Sequence, residues 1–370
     1  MDKPPTEFEQ RCIPTGRVGA PGLGTGSWWA LGAVLVLLAL VLWWFFREVD
    51  FAKVLEHLAS ANPLWLTASS VVALAGFWAR AARWRYLLAP VQPRSPFRSR
   101  FAAVAVGFAG NNLLPSGRLG EPARAFAYSR CEPVSFPAAL ATLVVERLMD
   151  GGVVFLLLLA TLYSPSVPAG PLPAELATAA RGTAAVLAVA LIVSLAMLAR
   201  PAQSGRVVEL ASSRLPIGRL GPALSGFVAG VAEGLSSMRG WRLMLPALAW
   251  SLCVWLVQAL SFWIGFVAFD LELPLTAALL TTVATALAAA IPAAPGYIGT
   301  LQAAVTIALV QVFGADPEAV LAFAVGWHAV TLPPITLIGL WHARRLGVSL
   351  VRLGGSRGED DTVGEGSGGA

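Results

Sequence analysis

Long apolar runs separated by short polar connections dominate this chain. Most runs approach the 20 or so residues that a helix needs to cross a bilayer, so we predict an all-α integral membrane protein with several passes. The pattern gives about eight hydrophobic segments, of which the seventh is interrupted: 27–46, 64–82, 97–114, 136–163, 181–199, 243–268, 273–313 and 317–342.

Pro, Gly and Asn break two of these segments. The first break follows Asn111 and Asn112, and the second contains Pro295, Gly296 and Gly299. Backbone that leaves the helix at membrane depth must be covered by protein or by a wet cavity. Paired breaks in the two halves of a membrane protein are typical of transport-type binding sites.

The distribution of charge predicts the orientation of the segments. Arginines crowd two connections, which we place in the cytoplasm: Arg80, Arg83, Arg85, Arg94, Arg98 and Arg100 after the second segment, and Arg200, Arg206, Arg214, Arg219, Arg239 and Arg242 before the sixth. The connection 164–180 lacks Lys and Arg, and the charged residues of 270–272 and 316–318 are all acidic. We place these three stretches outside.

This orientation requires the two broken segments to enter and leave by the same face, the first from the cytoplasm and the second from outside. We therefore predict two re-entrant units in an inverted repeat, residues 64–163 against 243–342, whose breaks meet near the middle of the bilayer. The alternative is that both units cross fully as hairpins and are only kinked at their prolines.

The membrane domain is expected to occupy residues 27–345. Apolar residues at helical spacing in 217–238 predict an amphipathic helix on the cytoplasmic leaflet. The ends, 1–26 and 346–370, are Gly-rich or polar, and we expect both to be disordered and cytoplasmic.

Composition excludes several classes of function. The chain is 56% hydrophobic and 13% charged, against about 25% charged in soluble domains, and leaves no room for a soluble catalytic domain. The Arg and Lys residues behind the net charge of +5 lie at segment ends, which argues against a nucleic-acid partner. The three Cys and three His lack metal-ligand spacing, so we expect neither a metal nor a cofactor.

The strongest chemical signal is the group Glu146, Arg147 and Asp150, which lies deep in the fourth segment. A charge at the bilayer centre costs between about 3 and more than 10 kcal/mol, so such residues face a protein interior or water. The alternative is an internal ion pair that holds helices together, in which Arg147 pairs with Asp150 or with Glu121. Any carboxylate left over would need Arg118, Arg124 or solvent.

Further candidates flank the two breaks. Arg118, Glu121 and Arg124 follow the first break, where a guanidinium can grip phosphate oxygens; they can also be read as interfacial anchors. The second break frees backbone groups, and the helix that restarts near Thr300 suits an anion, or is a turn needed for packing. The candidate headgroup-binding residues are Asn111, Asn112, Arg118, Glu121, Arg124, Glu146, Arg147, Asp150, Pro295, Gly296 and Gly299.

Three motifs in order, residues 111–124, 146–150 and 295–302, resemble the transmembrane domain of lysylphosphatidylglycerol synthases and their stand-alone flippase-like relatives, over roughly residues 30–345. The resemblance implies a multi-pass plasma-membrane protein that moves a lipid or a lipid-linked headgroup between leaflets. Two positions depart from the family, which often has Gly at the position of Tyr297 and Glu at that of Gln302.

We therefore predict a flippase-like or scramblase-like protein that is not an enzyme and lacks the aminoacyl-transferase domain of the synthases. Its partners would be an anionic phospholipid or lipid-linked sugar and a separately encoded lipid-modifying enzyme. One alternative is an intramembrane enzyme, or an accessory subunit of a lipid-linked glycosyl or headgroup transferase, with Glu121 or Asp150 as general base. Another is a scaffold in which these residues only support packing.

Overall fold

The computed structural model describes residue 47, residues 49–114, 119–167, 241–289 and 295–348, and positions 174, 177, 178, 181, 182 and 185. Every regular element in this part of the chain is helical, which confirms the all-α prediction. Among these described residues, three helices are long and apolar enough to cross a membrane. Arg118, the segments predicted at 27–46 and 181–199, the amphipathic helix predicted at 217–238, the N-terminal tail and most of the C-terminal tail lie outside the described residues.

The helices follow one another along the chain as α1 (Phe51–Ser60), α2 (Pro63–Leu88), α3 (Phe97–Leu113), α4 (Gly120–Cys131), α5 (Phe136–Leu162), α6 (Trp241–Ala268), α7 (Leu275–Ala288), α8 (Thr300–Thr306) and α9 (Pro317–Arg345). A 3-10 turn, Pro295–Tyr297, precedes α8, and a π-helical turn, Ile307–Gln311, follows it. The three candidate spans are α2, α6 and α9.

Polar side chains mark where the long helices begin. The Asn62 side chain accepts hydrogen bonds from the first amides of α2, Ser135 accepts one at the start of α5, and Asp316 accepts one at the start of α9. Each of these helices also has proline in its first two positions, where the missing N–H costs nothing. The connections before them can therefore be short.

Helices α2 and α6 form a central antiparallel pair. The Asn62 amide donates to the Ala268 carbonyl at 2.8 Å, whereas farther along α2 Ser69 faces Ser261. Each of these two serine hydroxyls donates to the other residue's carbonyl, at 2.7 and 2.9 Å. Small hydroxyl residues allow the two backbones to approach and supply hydrogen bonds across an apolar interface.

Helices α3 and α4 form a tight hairpin. A Cβ at Gly120 would lie 1.9 Å from the Gly107 carbonyl oxygen, so only glycine permits this approach. The Asn111 side-chain oxygen accepts the Gly120 amide at 2.9 Å, which joins the two helix ends. At 17 and 12 residues the helices are about 25 and 18 Å long. Both are shorter than the hydrocarbon core of about 30 Å.

The two halves repeat the same order of elements, namely a long helix, a short helix, a break, a short helix and a long helix. Their contacts repeat as well. Helix α2 packs on α3 as α6 packs on α7, and α4 packs on α5 as α8 packs on α9. Across the halves, α3 contacts α9, and α7 contacts α5.

The close contact between α3 and α9 gives a test of the packing. A Cβ at Gly339 would lie 2.2 Å from the Ala105 carbonyl oxygen, a backbone atom that cannot move aside. We expect Gly339→Ala to lower the free energy of unfolding in detergent by about 1–3 kcal/mol.

The matched control is Gly152→Ala in α5, because nothing lies within 4 Å of a Cβ there. It should leave stability unchanged or raise it by up to about 1 kcal/mol, since alanine favours the helix. Equal stability of the two variants would contradict the packing of α3 against α9.

Candidate functional site: a buried ionic cluster

Arg83 lies at the centre of a set of buried charges between α2 and α5. Its side chain and those of Glu146 and Asp150 are almost completely buried. A terminal guanidinium nitrogen of Arg83 lies 2.7 Å from Glu146 Oε1. Arg83 also forms an ion pair with Asp150 through Oδ1 and donates to its Oδ2 at 3.3 Å. One arginine of α2 thus bridges two carboxylates of α5.

Helix α4 contributes Arg124, which grips Glu146 with both terminal nitrogens at 2.8 and 3.0 Å. Its guanidinium lies 4.0 Å from the centroid of the Trp84 ring. The position of Arg124 depends on the α3–α4 hairpin, because a Cβ at Gly107 would lie 2.8 Å from the Arg124 Cβ. The fork-shaped pair with Glu146 is the strong geometry for arginine and carboxylate.

Arg147 and Glu121 form the edge of this group, and their side chains are 46% and 35% exposed. Arg147 lies 3.3 Å from Glu121, 3.2 Å from Glu146 and 3.4 Å from Asp150. Both pairings considered for Arg147 from the sequence are therefore present. We call the full set the ionic cluster: Arg83, Arg124, Arg147, Glu121, Glu146 and Asp150. Its three positive and three negative groups balance.

Helix α6, from the second half of the chain, closes one side of the ionic cluster. Arg83 donates to the Ser251 hydroxyl at 3.0 Å, and the Trp255 indole N–H donates to Asp150 Oδ1 at 3.1 Å. The site therefore receives side chains from four helices and both halves.

Arg80 lies one turn before Arg83 and is nine-tenths buried. Its guanidinium carbon lies 5.4 Å from the centroid of the Phe108 ring and 5.5 Å from that of the Trp255 ring. Within the described ranges, no carboxylate is within 4.0 Å of Arg80. It is a buried cation held by aromatic faces beside a balanced set of charges.

From the sequence, Arg80 and Arg83 were expected only to mark the cytoplasmic orientation, whereas both are buried in the site. A usable signal was present, since the two residues are three positions apart and therefore share a helix face. The apolar sequence before them also places them inside α2 rather than in the connection after it.

The second break lies against the first. The Asn112 carbonyl oxygen lies 3.5 Å from the position of a Cβ at Gly296, and the Asn112 side chain donates to Thr336 at 2.8 Å. Gly296 and Gly299 have φ angles of 67° and 86°, values that favour glycine. The two breaks therefore touch, and Asn111 and Asn112 hold the first one to α4 and α9.

A neutral polar pair holds the second break to α9. Gln302 accepts the Gly299 amide at 2.7 Å, and its Nε2 lies 3.2 Å from His328 Nδ1. Because the glutamine Nε2 can only donate, His328 Nδ1 is the acceptor. Gln302 was noted from the sequence only as a departure from the family pattern, and here it anchors the start of α8. The Gly299 amide is thus already bonded, which weakens the expectation of an anion at this turn.

A cavity of about 410 Å³ borders the second break. Most of its lining is apolar, and Gln302 and His328 are its polar members. Gly299 lines this cavity rather than the ionic cluster. The candidates on the two breaks therefore lie in two adjacent environments, one charged and one mostly apolar. No group of three His, Cys, Asp or Glu residues suited to a metal occurs in the described ranges.

The shared carboxylate gives a stability test of the ionic cluster. Glu146→Gln removes the partner of two buried arginines, so we expect a loss of about 3–5 kcal/mol in the free energy of unfolding. The double variant with Arg124→Gln should lose less than the sum of the two single variants, by about 0.5–3 kcal/mol.

The control is Glu121→Gln, which breaks only the partly exposed pair with Arg147. Its cost should stay below about 1 kcal/mol. Strictly additive losses for Glu146→Gln and Arg124→Gln would show that the two side chains do not interact.

Comparison with known proteins identifies the family of this chain. The curated relatives include a protein named glycosyltransferase AglD from Haloferax volcanii, 25% identical over 86% of this chain and 57% of that protein. A UPF0104 membrane protein from Methanocaldococcus jannaschii is 28% identical over 28% of this chain and 31% of that protein. The chain thus spans about half or less of these relatives, and no solved structure matches it. The sequence profile of the lysylphosphatidylglycerol synthase TM region matches residues 29–339, so the chain belongs to that membrane-protein family.

Proposed function

We propose that this protein moves a phospholipid or a lipid-linked headgroup between the leaflets of the plasma membrane, without changing it chemically. The observation that carries the proposal is Arg147. It lies eleven residues after the start of α5 and fifteen before its end, and yet its side chain is 46% exposed. A half-exposed guanidinium at that depth must face water or a polar headgroup rather than lipid tails.

The distances within the ionic cluster support a moving role for Arg147 in particular. Arg83 and Arg124 lie 2.7 and 2.8 Å from Glu146, whereas the contacts of Arg147 measure 3.2–3.4 Å. Short charge-assisted bonds are the stronger ones, so Arg147 is the most easily detached. A headgroup phosphate arriving at the edge would exchange for its carboxylate partners while Arg83 and Arg124 keep the helices in place.

The inverted repeat is part of this proposal. Gly117 and Gly120 recur as Gly296 and Gly299, each 179 positions later, which is the offset between residues 64–163 and 243–342. Two equivalent helices that run antiparallel, as α2 and α6 do, indicate an axis in the membrane plane. Short hairpins entering from opposite faces would then bring the two breaks into contact midway.

The re-entrant reading also sets the orientation that we propose. Helices α3 and α4 would enter from the cytoplasm, α7 and α8 from outside, and both termini would be cytoplasmic. Polar groups would line the path, while the lipid tails stay in the bilayer beside the protein.

A second candidate function rests on the relative named a glycosyltransferase. In that case the chain would itself be an intramembrane enzyme that modifies a lipid-linked sugar or headgroup. Mass analysis of lipids after incubation decides between the two. A lipid of unchanged mass on the opposite leaflet supports translocation, and a lipid of altered mass supports a transferase.

Arg147→Gln separates translocation from packing. Because the contacts of Arg147 are partly exposed, we expect its stability cost to be below about 1 kcal/mol. We expect the variant to move fluorescent phosphatidylglycerol across proteoliposome membranes at least about tenfold more slowly, since a lost charge-assisted bond is worth about 1.5–3 kcal/mol. The readout is the rate at which outer-leaflet label becomes accessible to a membrane-impermeant quencher.

Arg85→Gln is the matched control, because Arg85 is exposed and makes no contact with the ionic cluster. It should translocate at the wild-type rate. If Arg147→Gln also does so, or if it loses folding instead of rate, the residue serves packing and the proposal is wrong.

A further inference from the structure

We propose that Arg80 binds the headgroup phosphate together with Arg147 and gives the site a preference for lipids with net negative charge. The inference rests on the proposed function and names the class of headgroup. It differs from the expectation drawn from the sequence, which gave phosphate capture to Arg118 and Arg124. Arg124 already holds Glu146 with both terminal nitrogens.

Charge balance is the first argument. The ionic cluster contains three arginines and three carboxylates, and its buried members are joined by short contacts. Arg80 adds one positive charge that no carboxylate within 4.0 Å offsets in the described part of the chain. A buried unpaired charge is costly, so a site of this kind gains most from a ligand that supplies one negative charge.

Aromatic rings, rather than carboxylates, surround the guanidinium of Arg80. Phe108 on α3 and Trp255 on α6 each present a ring to its guanidinium. Aromatic faces stabilise a desolvated arginine without using its N–H donors. Those donors can therefore bind phosphate oxygens in a bidentate manner.

Trp255 links this subsite to the ionic cluster. Its indole N–H donates to Asp150 at 3.1 Å while its ring faces Arg80. Asp150 in turn is neutralised by Arg83, so it orients the tryptophan without presenting an unbalanced negative charge to the ligand. The aromatic support of Arg80 is thus set by the same contacts that hold α2, α5 and α6 together.

The test measures binding of short-chain lipids to the full protein in detergent. Dihexanoyl phosphatidylglycerol carries a net negative charge, and dihexanoyl phosphatidylcholine carries a choline cation that would meet Arg80 and Arg147. We expect the wild-type protein to prefer the glycerol lipid, and Arg80→Gln to weaken binding of that lipid about tenfold or more. Arg85→Gln should bind it as the wild-type protein does.

Inorganic phosphate is the third probe. Competition by millimolar phosphate at Arg80 would show that the phosphate group alone is recognised. Absence of competition would show that the lipid ester is required. Both results support the subsite if Arg80→Gln abolishes the preference for phosphatidylglycerol. Unchanged affinity for phosphatidylglycerol in Arg80→Gln would overturn the inference.

Two further comparisons test the inference if Arg80→Gln does not fold, and separate it from the proposed translocation. If Arg80→Gln does not fold, Arg80→Lys takes its place, and we expect it to bind phosphatidylglycerol several-fold more weakly because lysine lacks the fork and the stacking plane. Equal affinity would refute the proposal. If the wild-type protein binds phosphatidylglycerol through Arg80 but moves no lipid in proteoliposomes, the translocation proposal fails and the binding site stands.

Discussion

Glu146 is the residue around which the first half of the protein is organised. One carboxylate, almost completely buried in the middle of α5, is shared by Arg83 from α2, Arg124 from α4 and its own neighbour Arg147. Buried ion pairs cost desolvation energy that their attraction repays only with good geometry. A hydrophobic core could hold these helices without that desolvation cost, so packing alone does not account for six ionisable groups at this place. The glycines of α3 and α4 serve this geometry, because only their close approach brings Arg124 within reach of Glu146.

In the second half, neutral side chains hold the helix that follows the break. After each break the first glycine of the restarting helix has an amide that needs an acceptor. Asn111 supplies it for Gly120, and Gln302 supplies it for Gly299. A polar pair then joins each short helix to the following long one, Arg124 with Glu146 in α5 and Gln302 with His328 in α9. The two pairs join corresponding helices through different positions, and they differ in charge. The charged pair in the first half and the neutral pair in the second give an anion unequal environments in the two halves.

Much of the fold could be predicted from the sequence, because hydropathy and the Pro, Gly and Asn residues that break a helix are local signals. The described parts of the long helices and both breaks lie where the apolar runs and the Pro, Gly and Asn residues place them. The site was predicted in part: five of its six charged residues followed from their depth in an apolar run or from the break before them. Arg83 and Arg80 were missed because arginines near a helix end are normally interfacial. Trp255 and Ser251 could not be found at all, since their contacts to Asp150 and Arg83 join residues more than 100 positions apart.

The location of the missed residues bears on the mechanism. Arginine counts were used to fix the orientation, and two of the counted residues turn out to be part of the site rather than of the surface. The proposed orientation does not depend on them, because Arg85, Arg94 and Arg98 are exposed in the same connection or at its edges. What changes is how far positive charge extends into α2. It extends inward from Arg85, which is exposed near the end of α2, to Arg83 and Arg80, which share the buried face of the same helix. Under the proposed function, such a gradient would draw an anionic headgroup toward the middle of the protein, where the neutral second half would hold it less strongly.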